Sequence, residues 1–412
     1  MTKRISFSIL RHKNFRLLLG VRIFTAVAIQ SQAVIIGWQA YSLTKSLFIL
    51  GTIGLIEAIP AISCAFFSGH IVDKSNPRTV LAACLGAMSL NTILLCFLAG
   101  GAFFRSQEYT IIWLFAGVFV SGVARSFFVP SSYALLSQIV PRSELSQTSA
   151  WQASGFHIAA ISGPAAAGLV YGGYGAAGAW LLPSLAITMA FVMTQAIALA
   201  PSTETRSKRE PFAASIRTGW KFITTDSVLM PMMCLDMFAV LLGGATAMLP
   251  AYADRILHVG SEGLGILRAA PAMGAIFISL LLAIRPLKKL SAQHLLYVVS
   301  GFGFCIIGFG LSKNFLLSII FLAVSGIFDS IGMIIRGSIM QISVPQNMQG
   351  RVSSISSMFY VSANEIGAFE SGTAALLLGL MPSVVAGGIG TLVIVAIIAL
   401  TSPKFRSVVV EV

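Results

Sequence analysis

Residues 54–61 read GLIEAIPA and residues 265–272 read GILRAAPA, so Glu57 in the first copy stands where Arg268 stands in the second. The pattern returns further along. Residues 121–141 (SGVARSFFVPSSYALLSQIVP) are matched by 325–345 (SGIFDSIGMIIRGSIMQISVP), with Arg125 answered by Asp329. The offsets, 211 and 204 residues, are each about half of the 412-residue chain. All four charges lie inside long apolar runs, where an ionised group is costly unless it faces a wet cavity or a partner. A duplicated membrane bundle with polar groups along its midline is how many secondary transporters are built. The expectation is a transporter.

Composition points the same way. Hydrophobic residues make up 56% of the chain and charged residues 10%, against about 25% charged in soluble proteins. A mean hydropathy of +0.88 calls for lipid. The first apolar run extends from Phe15 past Trp38, too long for a signal sequence and with no small-residue cleavage site after it. Twelve spans of about 20 residues or more are expected at 15–40, 47–72, 79–101, 110–136, 147–171, 176–199, 228–253, 263–284, 292–311, 315–341, 352–378 and 383–401. The runs lack the two-residue alternation of a barrel, so helices are expected. The fold class is therefore all-α and integral to the membrane, with twelve helices in two pseudo-symmetric six-helix bundles.

Orientation follows from Lys and Arg. With a cytoplasmic N-terminus, nineteen of the 27 basic residues fall on the inner side, among them Lys3, Arg4, Arg11, Lys13, Arg16, Lys74, Arg78, Arg142, Arg206, Lys208, Arg209 and Lys288. Only Lys45, Arg105, Arg255 and Lys313 fall outside. Both termini are thus expected in the cytoplasm. The net charge of +13 is mostly a topology signal and a match to anionic lipid; it is too dispersed for nucleic acid. The five cysteines, Cys64, Cys84, Cys96, Cys234 and Cys305, sit in apolar runs with no metal spacing. No metal and no cofactor is expected.

The only long polar interruption is 200–227, APSTETRSKREPFAASIRTGWKFITTDS. It divides the chain into an N-terminal bundle, 1–199, a cytoplasmic linker, 200–227, and a C-terminal bundle, 228–412. Phe212, Ile216, Trp220 and Ile223 recur at near-helical spacing with Arg217 and Lys221 between them, which predicts a short amphipathic helix on the membrane surface.

After the second span comes Gly69-His70-Ile71-Val72-Asp73-Lys74-Ser75-Asn76-Pro77-Arg78. With twelve spans in two halves and a polar central linker, this resembles the G-x-x-x-D-[RK]-x-G-[RK]-[RK] loop of the major facilitator superfamily. Gly69, Asp73, Lys74 and Arg78 fit, whereas Asn76 and Pro77 depart from the usual glycine and basic residue. Asp73, at a helix end, is expected to latch the cytoplasmic side. In the fifth span, Ala159-x-x-x-Gly163-Pro164-x-x-Ala167-Gly168 resembles the family's antiporter motif, with alanine at two glycine positions. Small residues four apart let helices approach closely. Residues 14–18, 37–44, 257–265 and 364–372 also look like the enterobactin-exporter-like branch, which implies a bacterial inner-membrane exporter of siderophores or similar amphipathic molecules. A monomer is the family-like default.

In the family this resembles, spans 1, 4, 7 and 10 line the central cavity. Substrate contact is accordingly expected from Arg22, Trp38, Gln39, Arg125, Phe128, Asp236 and Arg336, the arginines meeting an anionic or oxygen-rich substrate and the aromatics giving apolar contact. Asp329 and Arg336 are seven apart and share a helical face, but two turns separate them, so substrate binding is favoured over their pairing. Proton coupling is expected from Glu57, Asp329, Glu365 and Glu370 with Arg268, since burial and a nearby arginine act oppositely on a carboxylate. Gating falls to Gly69, Asp73, Lys74, Arg78, Gly163 and Pro164. The expected function is proton-coupled export by alternating access; an importer or facilitator of a metabolite or metal-chelate is the alternative. A membrane enzyme or sensor is disfavoured, since no His-Glu-x-x-His, nucleophile–base spacing or P-loop is present.

Overall fold

The computed structural model describes residues 7–101, 107–141, 144–198, 212–285, 289–345 and 348–411. Of the charges used for orientation, Lys3, Arg4, Arg105, Arg142, Arg206, Lys208, Arg209 and Lys288 lie outside the described residues, as does the start of the linker. After a 3-10 turn at Phe7–Arg11 come α1 (Lys13–Thr44), α2 (Leu47–Lys74), α3 (Pro77–Ala99), α4 (Gln107–Ile139) and α5 (Leu145–Gln195). The linker contributes α6 (Phe212–Thr225). Then follow α7 (Leu229–Leu242), α8 (Ala245–Arg255), α9 (Gly260–Ile284), α10 (Ala292–Leu311), α11 (Phe315–Ser343), α12 (Gln349–Leu378), α13 (Leu380–Thr401) and α14 (Pro403–Arg406).

Among the described residues, ten stretches are long and apolar enough to cross a membrane. One of them, Thr148–Gln195, has 48 residues, enough for two crossings. It bends back at Gly175, whose φ of 69° is open to glycine and strained for other residues. Spans expected separately at 147–171 and 176–199 are thus joined with almost no loop. The opposite occurs in the seventh span, which breaks at Gly243–Gly244 into α7 and α8. The polar α12 stands outside the ten because Asn364, Glu365 and Glu370 thin its apolar run. Counting it, and α5 twice, gives twelve crossings.

The local chemistry explains several helix starts. Asn76 accepts a hydrogen bond from the Arg78 backbone N–H at 3.0 Å and Pro77 occupies the first turn of α3, a favoured pair at a helix N-terminus. The two departures from the family loop pattern are therefore a helix cap. Ser291 caps α10 and Asn314 caps α11 in the same manner.

The chain forms two compact units. One comprises Met1–Leu43, Ile59–Lys208 and Gly260–Ala269; the other comprises Thr44–Ala58, Arg209–Val259 and Ala270–Val412. The first is built on Phe15, Leu18, Leu81, Leu85, Met88, Ile187 and Ile197. The second is built on Leu229, Met232, Leu295, Val299, Ile335 and Phe405. A buried polar knot ties the first together: Gln32 donates to Ser121 at 3.0 Å, and Asn91 donates to both Ser121 and the Gly117 carbonyl.

Helices in hydrocarbon associate by close packing of small residues, and here a set of close approaches repeats with the duplication. In the first unit, a Cβ on Gly163 would lie 3.0 Å from the Val27 carbonyl of α1, and one on Gly265 of α9 would lie 2.5 Å from the Pro164 carbonyl. In the second unit, a Cβ on Gly367 would lie 2.7 Å from the Leu241 carbonyl of α7, and one on Gly372 would lie 2.6 Å from the Gly51 Cα of α2. Sequence reasoning missed the correspondence. Ala159–Gly168 and Ala363–Gly372 align at the offset of 204 already seen between α4 and α11. The turns echo one another as well. Lys45 and His258 both take positive φ, 50° and 53°, each two residues before the next helix.

Each unit ties the loop after its second span to the end of its sixth, by different means. In the first, the Arg78 guanidinium donates to the carbonyls of Thr194 (3.3 Å) and Gln195 (2.5 Å), near the end of α5. In the second, β1 (Lys289–Ser291) pairs antiparallel with β2 (Val409–Glu411), placing Leu290 opposite Val410. The Ala292 N–H continues the ladder to the Val408 carbonyl at 3.1 Å. Phe405, fully buried, anchors the turn between α13 and β2. The linker helix α6 lies against α12 through Trp220 stacked on Phe359, ring centroids 5.7 Å apart, and buries Ile223.

Candidate functional site

The seventh and tenth spans bring three sequence-predicted residues of the second unit together. Arg336 of α11 donates through one guanidinium nitrogen to Asp236 of α7 at 2.5 Å, and through the other it reaches Asp329 at 3.6 Å. The pairing that the sequence weighed behind substrate contact is present: Arg336 reaches both acids. The reason is direction. Residues seven apart in a helix are separated by about 10 Å of rise, but helical side chains lean towards the N-terminus. Arg336 therefore leans back towards Asp329. Gly332, between them, leaves the intervening turn without a side chain.

This cluster lines a small open cleft together with Val298, Phe302 and Phe328. With both acids ionised it carries a net charge of −1. The three members are not equally accessible. The Asp236 and Arg336 side chains are 16% and 14% exposed, while Asp329 is 38% exposed. Asp236 thus holds the arginine, and Asp329 is the carboxylate that water and small ions can reach.

In the first unit the predicted residues divide. Arg22 of α1 lies over the ring of Tyr133 of α4, 4.7 Å from its centroid, and its Nη1 is buried without a hydrogen-bond partner among the described residues. Gln39 is buried and accepts a hydrogen bond from the Trp180 indole N–H at 2.9 Å, a packing contact within the unit. Phe128 packs with Phe127 against the core that holds Leu135 and Leu136. Trp38 and Arg125 are half-buried.

Of the residues expected to couple protons, Glu57 and Asp329 belong to the second unit and Arg268 to the first. Glu365 and Glu370 are half-buried on α12. The Ser371 hydroxyl donates to Glu370 at 3.5 Å, and the Glu365 carbonyl lies under Gly54. Of the gating set, Asp73 and Lys74 are exposed at the end of α2, and Arg78 joins α5 as described. No neighbour crowds Gly69. Gly163 and Pro164 sit where α5 meets α1 and α9, and the Ser31 hydroxyl adds a bond to the Gly163 carbonyl at 3.0 Å. Among the described residues no cluster able to hold a metal is present and the cysteines are free.

Duplicated apolar helices carrying charged clusters in their interior define a multi-pass membrane transporter rather than an enzyme. The sequence profile of the Major Facilitator Superfamily matches residues 18–368, and the chain belongs to that family. Its relatives include enterobactin exporter EntS of Shigella boydii serotype 4 (strain Sb227), 22% identical over 405 residues, spanning 98% of this chain and 95% of that protein. EntS of Shigella dysenteriae serotype 1 (strain Sd197) is 23% identical over 415 residues with the same coverage. Among solved structures, a bacterial homologue of the iron transporter ferroportin in an inward-facing state superposes with a TM-score of 0.71 at 15% identity, covering 97% of this chain and 100% of that one. A bacterial homologue of the lysosomal transporter Spinster, inward-facing and unoccupied, gives 0.72 at 13% identity, covering 95% and 97%. These structures share the fold.

Proposed function

We propose that this transporter exports a siderophore or similar small amphipathic molecule from the bacterial cytoplasm in exchange for protons, by alternating access, from the inner membrane and with both termini cytoplasmic. The observation that carries the reading is the Asp236–Arg336–Asp329 cluster. A charged group inside a membrane bundle is retained for a pathway or a proton relay, and this cluster moves from −1 to neutral on taking a single proton. Asp329, the most accessible of the three, is the proton site; Asp236 keeps Arg336 in place while Asp329 changes state. The half-buried Glu365 and Glu370 are the remaining coupling acids, with Glu57 and Arg268. The Gly163-Pro164 crossing and the Asp73–Arg78 loop supply the gating elements. Resemblance to enterobactin exporters over almost the whole chain favours the outward direction.

The test uses purified protein in liposomes with an internal pH dye, challenged with catecholate and carboxylate siderophores and lipophilic cationic drugs. Substrate-dependent proton movement, lost in Asp329→Asn while the protein remains folded, is the expected result. Substrate flux with no proton movement would overturn the coupling and leave a facilitator.

A further inference from the structure

We infer that Arg22 and Tyr133 form a binding site for a flat aromatic anion, an aryl carboxylate or its like, in the first unit. The inference deepens the export reading by naming a substrate class, and depends on that reading only for the side from which ligand arrives.

Three observations meet here. First, Arg22 is a permanent cation inside an apolar helix, and among the described residues no carboxylate lies within ion-pair distance of it. Arginine does not shed its proton in proteins, so its charge is left without a counter-ion. Second, its Nη1 is buried with no acceptor; an orphaned donor in a dry setting costs about 1–3 kcal/mol, which an incoming anion would recover. Third, the guanidinium carbon lies 4.7 Å from the centroid of the Tyr133 ring, and Tyr133 is 55% exposed. An exposed ring under a charged side chain in a membrane span faces water rather than lipid, because the cation beside it cannot face hydrocarbon cheaply.

The chemistry of the ligand follows from those parts. A planar guanidinium presents parallel N–H donors that match a carboxylate in two bonds. The exposed part of Tyr133 offers an aromatic ring an edge-on partner beside the cation. A ligand that satisfies both has its anionic group in the plane of, and attached to, an aromatic ring. An aliphatic acid would use only the arginine, and a neutral arene only the tyrosine. Arg22 lies nine residues from the start of α1 and Tyr133 six from the end of α4, about 14 and 9 Å along their helices. Both lie towards the ends that carry Arg11, Lys13 and Arg16, and that same basic side is where an exporter would first meet its cargo.

The experiment measures binding of radiolabelled salicylate to the full chain in nanodiscs, with no pH gradient, displaced by unlabelled salicylate, salicylamide or cyclohexanecarboxylate. Salicylate should displace at concentrations about tenfold or more below the neutral amide and the non-aromatic acid, the weight of one such contact. Arg22→Lys, which keeps the charge but not the plane, and Tyr133→Leu should each weaken binding about tenfold. Tyr133→Phe, which keeps the ring, should bind nearly as wild type and controls for folding. Equal displacement by all three compounds, or unchanged binding in Arg22→Lys, would overturn the site. Since no gradient enters the measurement, its failure leaves the coupling proposal standing, and a failure of proton movement in liposomes leaves this one standing.

Discussion

Gly274 and Gly337 should respond in opposite directions to the same substitution. Gly274 lies in α9 where it crosses α11, and an added Cβ would sit 1.8 Å from the Ala323 carbonyl oxygen. Real Cβ contacts essentially never fall below 3.0 Å, so a methyl there must drive the two backbones apart by at least 1.2 Å, from 1.8 to 3.0 Å. The obstacle is backbone and cannot rotate away. Gly326, on the facing helix, is equally tight against Pro271, at 2.0 Å from its carbonyl oxygen, so the crossing cannot relax by sliding. Overpacking of this kind costs about 1–3 kcal/mol. A unit of some 200 residues loses about 2–4 °C per kcal/mol, so Gly274→Ala should lower the melting temperature in detergent by about 2–12 °C. Gly337, in α11, has nothing within 4 Å of the same atom. There alanine replaces a poor helix former at no steric cost and should stabilise by up to about 1 kcal/mol. Differential scanning fluorimetry of both variants beside the wild type checks the pair. Equal melting temperatures, or a more stable Gly274→Ala, would refute the close crossing.

Three further outcomes are expected. Arg336→Gln leaves the largely buried Asp236 without its partner and should cost about 3–5 kcal/mol, largely restored when Asp236→Asn is added; a double variant as unstable as the single would remove Asp236 as the partner, read by thermal melting. Gln39→Leu strips the buried Trp180 indole of its acceptor and should cost about 1–3 kcal/mol, with substrate affinity unchanged in binding assays; a large affinity loss in a protein of normal stability would return Gln39 to the substrate site. Truncation after Ser407 removes β2 and should speed proteolysis in the Arg285–Ser291 segment while leaving the Asp73–Arg78 loop as resistant as before, a contrast that limited digestion and mass spectrometry can read.

The twelve crossings were legible because hydrophobic length is a property of each segment alone. The duplication was legible because charges of opposite sign mark matching positions, as Glu57 and Arg268 do. What escaped depends on direction rather than on spacing. Seven residues look too far for Asp329 and Arg336 until the backward lean of a helical side chain is included. Gln39 reads as a cavity residue from its span, yet its face of α1 turns inward to Trp180. Arg78 belongs to the gating loop by its motif; that it also reaches the end of α5 requires knowing which helix ends are neighbours. The strands at Lys289–Ser291 and Val409–Glu411 are three residues each, too short for any alternation to show. The glycine correspondence of α5 and α12 lies in the sequence, but Ala368 stands where Pro164 does and Glu365 and Glu370 interrupt the small-residue pattern.

The pairing of β1 with β2 has a bearing on how the protein is made. Leu290 and Val410 are joined across the ladder, so β1 leaves the ribosome about 120 residues before the strand it pairs with. Phe405, the deepest plug of that end, arrives equally late. Domains generally fold as units in the order of synthesis, and the first unit has nearly all its helices long before. The second therefore passes through a stage in which α9 and α10 are already inserted while the loop between them has no strand beside it. A chain interrupted between Arg406 and Val409 would have α1 to α14 made and that loop still open to proteases, a mark of incompleteness that a cell could read.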